Sequence, residues 1–542
     1  MPGRRYPVGM TLSRRLFLGA LTTLPMVRMA QGAVAHRLTI IHMNDFHSRH
    51  EPVDPAALTC AAASGKAGCF GGAARLASAI FAEQAAAEAG GRTVLLLDAG
   101  DQFQGSLFYT AWHGEVELKV MHVLGTEAMT VGNHEFDNGP ATLARFVRGA
   151  GFPVLSANTD ASADPDLAGL LRPSVLLEKG PVRVGVVGLT TLETRTGSSP
   201  GPHVRFDPPE PALREAAADL RKRGAHLVIA LSHLGAGEDL ELAGAVPGVD
   251  VFVGGHSHTL FSDTEPGAAG PAHRLVKGAA GQAVVVQAAC YGRYLGRLDV
   301  DLDESFTPVA YGGDCRHIGL DLPEEPRVAA IVASYAAQLE GVRRRVVGHA
   351  PAAADIAGCR LGECALGDFV ADAMRASVAG ADIAITNAGG LRTGLPAGDI
   401  TIGDVLTMLP FGNTVSTLKL RGSDLLAAVA NGLSRAGLGG FPQISGARLV
   451  WNPLAAPGER LVSLTLRGPD GGEVAIDPAR TYSVVTNNFM RAGGDGYVVL
   501  RDRAIAPYDT GPGLDDVVNA AITAASSFAP VTDGRVAIGR AP

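Results

Sequence analysis

Five separate apolar runs in this chain each end in a residue type that binds hard or borderline cations, and that regularity limits the fold more than any other feature. Arg37 to Met43 ends in Asn44-Asp45-Phe46-His47, and Thr93 to Leu97 ends in Asp98-Ala99-Gly100-Asp101. Ala128, Met129 and Val131 lead into Gly132-Asn133-His134-Glu135-Phe136-Asp137, before a turn at Asn138-Gly139-Pro140 that opens into a helix. His226 to Leu231 ends in Ser232-His233, and Val249 to Val253 ends in Gly254-Gly255-His256-Ser257-His258. Short β-branched and Leu-rich runs bounded by Gly or polar turns predict interior strands. A parallel α/β sheet exposes its functional loops at such strand ends. Core histidines and capping aspartates would be scattered without this regularity.

The runs alternate with helical stretches at Gly71 to Glu88 and Glu115 to Leu124, and Val182 to Val187 adds a further strand. The segment from His258 to Gly281 reads as a loop, with closing strands at Ala283 to Ala288 and Leu295 to Leu302. Pro326 to Arg345 carries Val328, Ile331, Val332, Tyr335 and Leu339 at helical spacing, as a linker helix would. A second α/β unit starts near residue 346, with a helix at Gly367 to Val378 and a strand at Ala381 to Thr386. At 542 residues the chain exceeds a single hydrophobic core, which fits two domains.

The net charge of −8 and the lack of a basic block beyond Arg343-Arg344-Arg345 argue against polymeric nucleic acid as a partner. Ser13-Arg14-Arg15-Leu16-Phe17-Leu18 is a twin-arginine pattern, with an A-x-A-like cleavage site at Ala33-Val34-Ala35. The apolar stretch Leu16 to Val27 falls short of the roughly 20 residues a membrane span needs, and the C-terminus does not resemble a lipid-anchor tail. The expectation is export without a stable membrane anchor. Six cysteines suit an oxidising compartment. Cys60 and Cys69 flank one small loop and Cys359 and Cys364 another, so each pair can close locally, leaving Cys290 and Cys315 without an assigned partner.

If strand geometry persists, Asp45 and His47 share one face and can grip one ion together, and His256 and His258 likewise. Asp101 offers two oxygens and can bridge two ions, while Asn133 and His233 complete a mixed O/N set suited to Mn, Zn, Fe or Co. Asp98, His42, His50 and His113 stay outside the set as turn, core or surface residues. The order D-x-H, G-D-x-x-x-G, G-N-H-E, H and G-H-x-H resembles the calcineurin-like metallophosphoesterases, in the form of the 5'-nucleotidase branch. That resemblance implies Asp45, His47, Asp101 and His258 on one ion, and Asp101, Asn133, His233 and His256 on the other. It implies that His134 faces the scissile phosphate with Asp137 hydrogen-bonded behind it, to stabilise the transition state or protonate the leaving group.

Cys359-Arg360-Leu361-Gly362-Glu363-Cys364, Asn387-Ala388-Gly389-Gly390-Leu391-Arg392, Pro410-Phe411-Gly412-Asn413 and Phe489-Met490-Arg491-Ala492-Gly493-Gly494-Asp495-Gly496-Tyr497 resemble the 5'-nucleotidase C-terminal domain. The resemblance covers roughly residues 36 to 500. It implies that Phe411 and Phe489 sandwich a base, that Asp495 holds ribose hydroxyls and that Asn413 meets the base edge. Arg360 and Arg392 offer planar forks to phosphate, with Asn387, Gly389 and Gly390 beside them.

Together these imply an α/β protein. An N-terminal four-layer αββα metallophosphatase sandwich (36–325) follows a twin-arginine signal peptide (1–35), and a linker helix (326–345) joins it to a smaller α/β substrate-binding domain (346–542). The implied activity is periplasmic hydrolysis of nucleoside 5'-phosphates with two divalent ions (Mn, Zn or Co), after export by the twin-arginine machinery. UDP-sugar diphosphatase, 2',3'-cyclic-nucleotide phosphodiesterase with 3'-nucleotidase activity and, further off, a thiosulfohydrolase are the alternatives. In the family the second domain rotates to close the site, which makes the linker the hinge region.

Overall fold

His36–Met43 pairs in parallel with Thr93–Asp98, Met43 lying opposite Asp98, and Asp98 in turn lies opposite Met129 of the parallel strand Ala128–Thr130. These strands belong to a sheet of seven whose other edge is antiparallel, where Tyr294–Leu302 pairs with His36–Met43. A second sheet, of six strands, aligns Val182–Thr190, Leu227–His233 and Val251–Gly254 in parallel, with Thr190 opposite His233 and Gly254 opposite Ser232. The computed structural model describes residues 33–53, 60, 68–278, 281–467, 472–525 and 527–539. The twin-arginine segment lies outside the described residues.

Both faces of both sheets are buried, which is why their strands read as nearly continuous apolar runs. Leu38, Ile40, Leu95 and Leu97 pack against Val184, Val186, Ile229 and Leu231 between the sheets. Alternate residues face the other way, so Ile41 and Leu96 meet the helix Ala73–Ala89. Val187, Val228 and Phe252 likewise meet the helices Pro209–Lys222 and Ala236–Ala245. The result is helix, sheet, sheet, helix, with the C-terminal ends of the parallel strands on a common edge.

The C-terminal half contains a sheet of five strands ordered Pro442–Ser445, Ile383–Asn387, Thr481–Asn487, Val415–Arg421, Ile505–Tyr508. Ile383 and Ile385 pack on the helix Gly422–Ser434, while Ala384 and Val485 pack on Ala365–Ala376 and Leu514–Ala524. A four-stranded sheet that includes Ala447–Trp451 closes the first of these cores.

Two elements differ from expectation. The stretch from His258 to Gly281 contains a strand, Arg274–Gly278, which forms an antiparallel pair with Gly281–Val286. The linker is two helices, Pro326–Ala336 and Leu339–Arg343. Gln338 explains the break: its Nε2 donates to Ser334 O at 3.0 Å, taking the acceptor its own amide would use, and that amide tightens onto Tyr335 O. Cys60–Cys69 and Cys359–Cys364 are disulfide-bonded, and Cys290 and Cys315 are free thiols. Among the described residues no helix is long and apolar enough to cross a membrane.

Candidate active site

The loops that follow the parallel strands converge at one edge of the sandwich. Asp45, His47 and His258 bring ligand atoms within 4.8 Å of one another, and so do Asp101, His233 and His256. His258 Nε2 lies 3.3 Å from Asp45 Oδ1 and 3.2 Å from His47 Nε2. Asp101 Oδ2 lies 3.0 Å from His233 Nε2 and 3.8 Å from His47 Nε2, reaching one member of each trio.

Strand geometry does not persist into these loops. Asp45, His47, Asp101, His256 and His258 all have φ between 51° and 71°, in the left-handed region. Alternation along a strand is therefore not what brings Asp45 to His47 or His256 to His258. Left-handed turns do it, each costing on the order of 1 kcal/mol, and such strain is typically held at functional sites.

Several buried polar atoms of these loops lack a hydrogen-bond partner. Asp101 Oδ2, Asn133 Oδ1, His233 Nε2 and His256 Nδ1 are buried and make no hydrogen bond. His233 Nδ1 donates to Ala99 O at 2.7 Å, which turns Nε2 toward the Asp101 carboxylate 3.0 Å away. Burial alone would lower the His233 pKa, but Asp101 outweighs it and pushes it up to about 10. A cation between these atoms would displace that proton and satisfy the lone pairs, as metal-bound imidazoles do. The donor set therefore fits divalent cations.

Residues around the set hold it in place. Asn44 Nδ2 donates to Asp45 Oδ2 at 2.6 Å, and Asp45 also accepts from His256 N at 3.0 Å. Glu135 is buried and accepts backbone N–H groups from Asp101, Gln102, Phe103 and Gly132. The sequence displayed Glu135 within its motif but gave no sign of this role, because three of its four partners lie in another loop. Glu193 accepts from His256 Nε2 at 3.0 Å and carried no local signal. Asp98 bonds Gly100 N at 2.9 Å as a turn residue, His42 is buried in the core, and His50 pairs with Glu117 at 3.1 Å.

His134 stands beside this cluster, within ligand-atom reach of His47 and Asp101, but both of its nitrogens are engaged. Nδ1 lies 2.6 Å from Asp137 Oδ2, and Nε2 meets the carbonyl of Thr510 from the C-terminal half. Burial would lower its pKa, but Asp137 and Asp101 prevail and push it up to about 9.

The C-terminal residues singled out from the sequence gather at the ends of Ile383–Asn387 and Thr481–Asn487. Asn387 Nδ2 donates to Asp495 Oδ2 at 2.8 Å, and Asp495 has φ 52°. Gly389 N donates to Gly439 O at 2.7 Å, an approach so close that a Cβ on Gly389 would meet the Gly439 Cα. Gly390 is buried beside Asn387, and Arg392 lies 5.7 Å over the Phe411 ring. The Arg360 carbonyl accepts from Gly437, its side chain staying exposed, and the Asn413 carbonyl accepts from Leu514. None of these eight residues, nor Phe489, hydrogen-bonds to the metal-facing cluster. A cavity of about 520 Å³ lies between the halves, lined by His47, His134 and His258 on one side and Pro410, Gly412 and Asn488 on the other.

Residues 38–260 match the calcineurin-like phosphoesterase family and residues 346–502 match the 5'-nucleotidase C-terminal domain. The chain is 34% identical to 5'-nucleotidase of Bos taurus over 92% of its own length and 90% of that protein's. It is 38% identical to the trifunctional nucleotide phosphoesterase YfkN of Bacillus subtilis over 75% of its length, spanning 30% of that longer protein. The solved 5'-nucleotidase precursor of Thermus thermophilus is 37% identical, with a TM-score of 0.58 over 93% of this chain and 100% of that one. Similarity that runs through both halves makes this chain a member of the 5'-nucleotidase family, and hence a metal-dependent phosphoesterase.

Proposed function

We propose that the chain is an exported 5'-nucleotidase that hydrolyses nucleoside 5'-phosphates to nucleoside and phosphate in the periplasm. In this reading residues 36–325 carry the metals, 346–542 recognise the nucleoside and 326–345 link them. Asp45, His47, Asp101 and His258 would hold one divalent ion, and Asp101, Asn133, His233 and His256 the other, with Mn, Zn or Co as candidates. The observation that carries the reading is the cluster of Asp101, His233 and His256, whose ligand atoms lie within 4.8 Å of one another, with Asp101 Oδ2, His233 Nε2 and His256 Nδ1 buried and without hydrogen-bond partners.

Bound there, divalent ions would activate water and neutralise charge on the phosphoryl group. The chain supplies the remainder. Asp137 fixes the tautomer and plane of His134, whose Nε2–H can then be donated to a phosphoryl oxygen or to the leaving 5'-oxygen. Glu135 keeps the loop of Asp101 fixed against that of Asn133. Phe411 and Phe489 are 41% and 45% exposed, high for large apolar rings, which supports a base-stacking role. Arg360 and Arg392 would hold phosphate oxygens.

Phosphate can reach His134 Nε2 only if the Thr510 carbonyl withdraws, which supports relative motion of the two domains during turnover. A whole-chain TM-score of 0.58 at 37% identity to the Thermus protein accords with more than one domain placement. The test is phosphate release from AMP, UMP, ATP, UDP-glucose, 3'-AMP and 2',3'-cAMP, with and without chelator. Chelator-sensitive release from AMP and UMP is expected. Release confined to UDP-glucose or to the cyclic and 3'-nucleotides would replace the proposed substrate class.

A further inference from the structure

Tyr508 ends the edge strand Ile505–Tyr508 of the C-terminal sheet, yet it lies within the N-terminal cluster of metal-facing groups. Its hydroxyl donates its single hydrogen to Thr510 O at 2.8 Å. Only lone pairs remain on that oxygen. The Asn133 atom 2.8 Å away must therefore be the amide nitrogen, Nδ2, which donates to it. An amide turned this way presents Oδ1 on its opposite side, and Oδ1 is buried without a hydrogen-bond partner. The Tyr508 ring also lies along His256, with centroids 5.8 Å apart and planes 25° from parallel. Asn133 and His256 belong to the same proposed ligand set. No hydrogen bond or ring contact joins Tyr508 to Asp45, His47 or His258.

The same segment is seated by further contacts across the halves. The Thr510 carbonyl rests on His134 Nε2, and Asp516 Oδ1 accepts from Thr110 Oγ1 at 3.1 Å. The orientation of Asn133 is thus set by a residue of the C-terminal half, which reaches it in this placement of the domains.

We propose that Tyr508 is a positioning residue for one of the two cation sites, the one formed by Asp101, Asn133, His233 and His256. It rests on the metal-centre reading above. An unrestrained amide turns either its oxygen or its nitrogen to a cation, and only the oxygen binds. Holding the productive orientation raises affinity at that site and leaves the other alone. Linkage makes the effect reciprocal: a cation bound there favours the domain placement in which Tyr508 reaches Asn133.

The test uses the full-length chain, stripped of metal and titrated with Mn²⁺ by calorimetry. In Tyr508→Phe, which keeps the ring on His256, one site should weaken by about 10–100-fold, as loss of a supporting hydrogen bond does at metal sites. The other site and the melting temperature should stay unchanged. Asn133→Asp provides the control, because a carboxylate offers oxygen on both sides and needs no orienting. In that background Tyr508→Phe should cost nothing further. Two outcomes overturn the proposal alone: wild-type affinity at both sites in Tyr508→Phe, or an equal loss in the Asn133→Asp background. A wild-type chain that binds no Mn²⁺ would instead overturn the metal-centre reading and this proposal with it.

Discussion

Asp137 Oδ2 stands 2.6 Å from His134 Nδ1, and its other oxygen accepts from Ser198 Oγ at 2.7 Å. The imidazole is held at one nitrogen so that the opposite one can meet a ligand. His134→Gln keeps similar bulk and removes the proton-bearing ring. It should lower kcat by about 10²–10⁴-fold while leaving cation content, read by atomic absorption, at the wild-type level. A fall in metal content in step with the rate would place His134 among the ligands instead.

Glu135 binds two loops together. Oε1 accepts from Gln102 N at 2.8 Å and Phe103 N at 3.2 Å, and Oε2 from Asp101 N at 3.0 Å and Gly132 N at 2.6 Å. Glu135→Ala leaves these N–H groups buried without acceptors, each costing about 1–3 kcal/mol. The expected loss is at least about 3 kcal/mol in a urea titration, with weaker cation binding because the Asp101 loop is released. Glu135→Gln should fall between, since an amide retains one acceptor oxygen and turns its NH₂ toward N–H groups.

How much of this was legible follows from where each signal lives. The strand Val182–Thr190 and the helix Glu115–Leu124 begin where the sequence places them, because a strand buried on both faces and a helix flanked by Gly114 and Gly125 are local patterns. The residue types at the strand ends were equally visible, whereas the left-handed φ of Asp45 or His258 was not, because Asp and His adopt it more often than most residues but still in a small minority of cases. Gln338 breaks the linker through one side-chain bond within a helical pattern. Tyr508 and Thr510 lie more than 370 positions from Asn133 and His134, so nothing local could join them.

The free thiols differ in reach. Cys315 is 8% exposed, and burial pushes its pKa up to about 12, so little thiolate exists near neutrality. Cys290 is half-buried. In the absence of reductant, a maleimide should label Cys290 first in the native chain and both thiols after denaturation, with Cys60, Cys69, Cys359 and Cys364 remaining blocked. Peptide mass spectrometry reads the sites. A Cys290–Cys315 peptide in the unreduced digest would contradict the structure.

Asp368, in the first turn of the helix Ala365–Ala376, is a buried carboxyl whose ionisation should tune stability. Burial pushes its pKa up to about 8, with Arg535 pulling the other way and Glu363 adding to the rise. The folded chain therefore keeps a proton that the unfolded chain releases near pH 4. A group raised on folding contributes stability that is fully present below its unfolded pKa and is lost as pH climbs through the folded value. Asp368→Asn copies the neutral form in shape and cannot ionise. In urea titrations from pH 4 to pH 9 the variant should gain on the wild type steadily as pH rises and level off above about pH 8. Arg535 stays paired in the variant, because it also bonds Asp372 at 2.7 Å and Asp533 at 2.9 Å. A difference between the two proteins that is flat across this range would mean that Asp368 is ionised in the folded chain, held so by Arg535 at 3.6 Å.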